Sequence, residues 1–284
     1  MFILLLLLML IGVFYTTVTL RAPNYTPEQA REKLKELAIM LSMDNLIEKT
    51  IKNDISAVRL LLQAGLTSDI SYQDRPLVSI ALDDLNTDLA ELLLQHLEKK
   101  DQLLVHAIRK NDFKLVKFLI ERKVSVESED EKGRGVLELA LMHASEEVAV
   151  YLIQNKAGVA DVIGMLNRTA EKGWVDFMRQ VVGDKVDVNI GDSNDRTPII
   201  YAALGGSVPM AEFLVSKGAN VNVQDRYGLS PMMVASGKNS KDVLRYLLKI
   251  GADPKIKDKK GRTAYDMACS DFIRDIFKEY DAAK

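Results

Sequence analysis

Three aspartates, Asp192, Asp225 and Asp258, stand 33 residues apart, and each opens the same short phrase. The phrases are Asp192-Ser-Asn-Asp-Arg-Thr-Pro-Ile-Ile, Asp225-Arg-Tyr-Gly-Leu-Ser-Pro-Met-Met and Asp258-Lys-Lys-Gly-Arg-Thr-Ala-Tyr-Asp. A fixed period of this length marks a stacked repeat, in which each unit buries its apolar face only against its neighbours. Such an array escapes the size limit of a single core, so 284 residues with 48% hydrophobic side chains need not divide into two globules. It also presents surface more readily than it encloses an active site.

Each repeated residue has a physical task. Gly228 and Gly261 suit a left-handed turn between units, and Asp195, which replaces glycine in its unit, tolerates positive φ better than most residues. Thr197 or Ser230 is expected to cap a first helix, with Pro198 or Pro231 at its first position, where no backbone donor is lost. Ala202 and Ala235 are small enough for close helix approach, and Leu214, Leu247 and Leu248 fill the seam. Gly218 and Gly251 end a second helix, and Gly205-Gly206 reads as the turn between two helices.

These residues resemble the ankyrin repeat, which opens D-x-x-G-x-T-P-L-H-x-A-A and closes L-L-x-x-G-A-D-x-N. The unit from Asp225 to Lys257 matches best, with Gly228, Ser230-Pro231, Ala235 and Leu247-Leu248-Lys-Ile-Gly251-Ala252-Asp253. The histidine after T-P-L is missing: Ile200 and Met233 stand there, so the loops must be ordered by other groups. The resemblance implies an all-α ankyrin-repeat solenoid of helix-turn-helix units joined by short β-hairpin loops. Upstream the pattern thins but continues through Ala170-Gly173-Phe177, Asp130-Glu-Lys-Gly133, His106-Ala107, Ala81 and Asn53-Asp54 to Gly65. About seven units are expected over residues 44–284, best defined at 192–224, 225–257 and 258–284, the last cut short after Cys269.

Residues 22–43 read as a spacer and an N-terminal capping helix. Thr26 is its cap, Pro27 its first residue, and Leu34, Leu37, Ala38 and Leu41 its apolar face. Its opening, Thr26-Pro-Glu-Gln-Ala-Arg-Glu-Lys-Leu, also resembles the lead-in of bacterial membrane-associated ankyrin proteins. Residues 1–21 form a transmembrane anchor or signal segment: Phe2 to Leu20 are uncharged and mostly apolar. In a helix they span roughly 28 Å, close to a bilayer core. The long run and the absence of a basic side chain before it favour an uncleaved anchor over a secretory signal. Arg21 favours a cytoplasmic array, with an exported array as the alternative, so a single-pass membrane location is expected and the face stays open.

A formal charge of −2 gives no field that would draw nucleic acid. One cysteine, Cys269, allows no intrachain disulfide and reads as a small buried side chain. His96, His106 and His143 fall on different repeats, and Gly205-Gly206 is followed by no Lys-Ser or Lys-Thr. We therefore expect no catalytic residue, no cofactor and no metal. The residues free to vary at the turn tips are Ser193, Asn194 and Arg196, then Arg226, Tyr227 and Leu229, then Lys259, Lys260 and Arg262. Tyrosine and arginine together offer large contact area with polar handles. The expected function is a monomeric, membrane-tethered, non-enzymatic scaffold that binds a partner protein through its concave face and tips. An exported inhibitor or immunity-type protein acting on an envelope enzyme is the alternative.

Overall fold

The computed structural model describes residues 24–69, 71–182 and 186–282. The apolar stretch expected to anchor the chain, residues 2–20, lies outside them. Among the described residues no helix is long and apolar enough to cross a membrane. The described residues divide into two compact units, with the boundary between Leu103 and Leu104.

In the first unit, α1 (Pro27–Glu36) starts from a reciprocal capping box: Thr26 Oγ1 accepts from Gln29 N, and Gln29 Oε1 accepts from Thr26 N. It packs on α3 (Ile55–Gln63) as the capping role requires, with Ala30 and Leu34 buried and Arg31 Nε donating to Ala64 O. The expected apolar face is shorter than its sequence suggested. The helix ends at Glu36, so Leu37, Ala38 and Leu41 lie past it, Leu37 and Leu41 exposed. Next come α2 (Met43–Ile51), which packs on α3 and on α4 (Leu77–Asp83), and α5 (Thr87–Gln95), which packs on α4. Between α3 and α4, β1 (Ser71–Tyr72) and β2 (Arg75–Pro76) form an antiparallel two-residue hairpin, Ser71 facing Pro76 and Tyr72 facing Arg75. Gln73 and Asp74 both have positive φ, as a type I′ turn demands.

The helix α6 (Lys100–Arg109) runs across the unit boundary. The second unit continues with α7 (Phe113–Glu121), α8 (Val136–His143), α9 (Glu146–Gln154), α10 (Val162–Lys172) and α11 (Val175–Val181). It closes with α12 (Pro198–Gly205), α13 (Val208–Ser216), α14 (Pro231–Gly237), α15 (Lys241–Lys249) and α16 (Asp271–Ala282). Two layers run through it. First helices pack in the order α8, α10, α12, α14, and second helices in the order α7, α9, α11, α13, α15, α16. The seam is apolar: Ala202, Ala235, Leu214, Leu247 and Leu248 are all buried, as expected for them. Burying leucines of this kind stabilises by about 1.5–3 kcal/mol each. The helices α10 and α12 approach closely: a Cβ on Gly205 would sit 1.9 Å from Glu171 O.

Three expectations need correction. The last repeat is not cut short after Cys269. It recovers a second helix, α16, whose Ile273, Ile276 and Phe277 pack into the cluster around Leu244 and Leu247. Cys269 is exposed, because residues 264–267 form turns in place of a first helix and Ala268 takes the inward position. Thr197 does not cap α12: its Oγ1 is buried without a hydrogen-bond partner, whereas Ser230 caps α14 by accepting from Met233 N.

Candidate functional site

The turn tips are built by the repeated aspartates, and by a fourth, Asp130. Each Oδ1 accepts from the main-chain N–H groups two and four residues on. Asp192 holds Asn194 and Arg196, Asp225 holds Tyr227 and Leu229, Asp258 holds Lys260 and Arg262, and Asp130 holds Lys132 and Arg134, all at 2.8–3.0 Å. The fourth residue of each turn is left-handed: Gly133, Asp195, Gly228 and Gly261 have φ of 71°, 59°, 81° and 78°. Aspartate therefore does serve where glycine is missing. The bonds of the turn run along the backbone as well as through the aspartate's side chain: Asp225 N donates to Leu229 O at 3.0 Å and Gly228 N to Asp225 O at 2.8 Å, and the turns at Asp130, Asp192 and Asp258 repeat this pair. The bridge Glu129–Gly135 and the β1–β2 hairpin are the only strand pairings among the described residues, so most of the expected β-hairpin loops are carboxylate-held turns.

Each second carboxylate oxygen takes a further donor. Asp225 Oδ2 accepts from Arg196 Nε of the preceding unit at 3.1 Å, and Asp258 Oδ2 from Arg262 Nε at 2.9 Å. Asp192 Oδ2 accepts from the Tyr201 hydroxyl at 2.7 Å, and Asp130 Oδ2 from Arg134 and Arg109. The Arg134 guanidinium holds the Asp130 carboxyl well below the usual carboxylate range. The Arg262 N–H and guanidinium lower the Asp258 pKa. At Asp192 burial pushes upward, but the Tyr201 hydroxyl and the N–H groups of Arg196 and Asn194 outweigh it and the value falls.

Successive turns are also joined. Arg226 N donates to Asn194 O at 2.9 Å, and Lys259 N to Tyr227 O at 3.1 Å. Gln224 Nε2 spans from Gly228 O to Lys257 O. These groups do the work of the missing histidine. Tyr201 and Gln224 were not singled out in the sequence because a tyrosine after Ile200 and a glutamine before Asp225 match no family position.

The predicted site residues thus separate. Ser193, Arg226, Tyr227, Lys259 and Lys260 project exposed from one linked edge, Tyr227 being 54% exposed, with Asn194 half-buried beside Arg226. Arg196 and Arg262 are bound to turn carboxylates. Leu229 is half-buried against the core.

The first-helix face carries a second feature, a run of three hollows. One lies over Leu137, Leu141 and Met165. The next, about 660 Å³, is lined by Asp161, Asn167, Arg168, Glu171, Asp192 and Tyr201. The third, about 250 Å³, is lined by Ile200, Leu204, Met233, Val234 and Met267. Asp161, Gly164 and Arg168 border the first two, and Tyr201 borders the last two. Among the described residues no group of three or more His, Cys, Asp or Glu side chains is placed to hold a metal ion.

Stacked helix pairs with carboxylate-held turns define a helical repeat domain. The family model for ankyrin repeats (3 copies) matches residues 166–258, so this stretch carries three ankyrin repeats. No curated protein matches the chain. Ankyrin repeats are generally protein–protein interaction modules and typically non-enzymatic.

Proposed function

We propose that this protein is a membrane-tethered binding scaffold whose turn edge, centred on Arg226 and Tyr227, captures a partner protein. The observation that carries the reading is the linkage of successive turns by main-chain hydrogen bonds. An edge fixed in this way presents Tyr227, Arg226, Lys259 and Lys260 without a large ordering cost on binding. Tyr227 is the anchor, with an aromatic body and a polar tip on an exposed turn. The tether rests on the uncharged run from Phe2 to Leu20. It would raise the effective concentration of a partner at the bilayer.

The test is photo-crosslinking from position 227 in the full chain, followed by capture of the crosslinked species with the double variant Arg226→Ala, Tyr227→Ala. Capture should be lost while the helical circular dichroism signal is unchanged. Undiminished capture removes the edge from the mechanism. Protease treatment of sealed vesicles bearing a C-terminal tag reports whether the array is tethered, and on which side.

A further inference from the structure

The loop between α1 and α2 presents an apolar knob. Leu37, Met40, Leu41 and Met43 are all exposed, Met40 to 74%. Other exposed apolar side chains of the first unit, Ile51, Tyr72 and Leu85, stand apart in sequence, and scattered ones need no explanation. The knob is held in place from both sides. The helix α1 ends in a Schellman motif: Ala38 takes φ of 54° and its N–H donates to Lys35 O, while Ile39 N donates to Leu34 O. On the other side Ser42 Oγ caps α2 by accepting from Asn45 N, and Asn45 Nδ2 donates to Met40 O at 2.9 Å. The loop is thus fastened by its main chain while its large apolar side chains stand in solvent.

Four side chains fall well short of the about 20–30 residues that each side of a stable protein interface contributes. A bilayer sets no such minimum. Apolar side chains enter its headgroup–acyl boundary to a depth of about 5–10 Å, without a shaped pocket. The chain also brings a bilayer within reach. The uncharged run ends at Leu20, and residues 21–26 cover at most about 22 Å before α1, which adds about 15 Å. Charge beside the knob is balanced: Lys33 pairs with Glu36, and exposed Lys35 is offset by exposed Asp44. We infer that the α1–α2 loop is a second membrane contact. Leu37, Met40, Leu41 and Met43 enter the headgroup–acyl boundary of the bilayer that holds residues 2–20, through apolar burial and with no call for anionic lipid. Both ends of α1 are then kept at the surface, and the first unit cannot swivel on its spacer. This inference rests on the tethered reading above and adds a surface that a tether alone does not require.

Fluorescence of the full-length chain reconstituted into phosphatidylcholine vesicles tests it. A nitrobenzoxadiazole label is placed on Met40→Cys, with Leu85→Cys as an exposed control in the same unit, both in a Cys269→Ser background because Cys269 is itself exposed. A doxyl group on the lipid acyl chain should quench the label at 40 about twofold and leave the label at 85 unchanged. The double variant Leu37→Asp, Leu41→Asp should abolish that quenching while the chain still floats with the vesicles and keeps its thermal midpoint. Met43→Asp, at the first position of α2 where an acid suits the helix, should weaken the quenching without any risk to folding. A label at 40 as open to water as that at 85 overturns the inference and leaves the tether standing. So does a label that is shielded yet indifferent to the doxyl lipid, which would assign the loop to a protein surface or a second copy. Quenching that needs anionic lipid, or that survives both sets of aspartates, also overturns it. A chain that does not float with the vesicles removes the tether and this inference together.

Discussion

Two regions of this chain make the same kind of connection by different chemistry. Between α3 and α4 the loop is a two-residue hairpin whose central residues, Gln73 and Asp74, both hold positive φ. At 192–196, 225–229 and 258–262 the loop is closed by a carboxylate, buried at Asp225 and Asp258 and half-buried at Asp192, that gathers two main-chain N–H groups. Helix ends show the same contrast. Gly206, Gly218 and Gly251 take the left-handed positions of the later repeats, where glycine has no Cβ to strain. The corresponding position after α4 holds Leu85, 83% exposed with φ of 58°. The backbone track does not depend on one residue solution. The later repeats use the less strained one.

The comparison can be broken most sharply at Gly205, whose place is taken by Lys172 and Lys238 one period to either side. Gly205→Ala should cost about 3 kcal/mol, because the new Cβ meets the Glu171 carbonyl and neither backbone can yield cheaply. Urea unfolding followed by circular dichroism measures it, and a loss below about 1 kcal/mol would mean that α10 and α12 slide freely. Next in size is Asp225→Ala. It strips the N–H groups of Tyr227 and Leu229 of their acceptor and Arg196 of its partner, for an expected loss of about 2–3 kcal/mol. Hydrogen exchange should rise at Tyr227 and Leu229 and stay unchanged at Tyr72 and Arg75.

A smaller effect of opposite sign is expected at the other end. Leu85→Asn places a residue that accepts the left-handed conformation where leucine is strained, and should stabilise by about 0.5–1 kcal/mol. Gly218→Ala should destabilise by about 1 kcal/mol for the same reason reversed. The last effect is absent at neutral pH. Asp130, Asp192 and Asp258 have lowered folded-state values. Their contribution is fully present above the unfolded carboxylate value of about 3.9, and is lost as pH falls through the folded values. Acid titration of the helical signal should therefore show little change from pH 7 to 5 and a decline below about pH 4. The decline should be shallower in Asp258→Asn.

Asp192, Asp225, Asp258 and Asp130 were legible because one carboxylate must sit at one place in each turn, and that need repeats with the backbone. Ala202, Ala235, Gly218 and Gly251 were legible for the same reason. Leu85 and Gln73 were not, since leucine and glutamine are residue types that do not signal positive φ. The end of α1 at Glu36 and the outward turn of Cys269 were misjudged because helical spacing of apolar residues says nothing about where a helix stops. At the candidate sites the tips were visible as variable positions inside a fixed frame. The binding of Arg196 and Arg262 to carboxylates was not, because it depends on side-chain reach.

The carboxylate turn has a consequence for how such a surface changes. Within its own turn Asp225 reads only the main-chain N–H groups of Tyr227 and Leu229, and Arg226 and Lys259 join neighbouring turns through their own main-chain N–H groups. This main-chain fastening is blind to the side chains at 193, 226, 227, 259 and 260, and Arg226 alone of these adds a side-chain bond to it, to Asn194 Oδ1 at 3.2 Å. Those letters can be rewritten one at a time while the line they are written on stays ruled. Address and architecture are kept in separate residues, and a change of partner need not be negotiated with the fold.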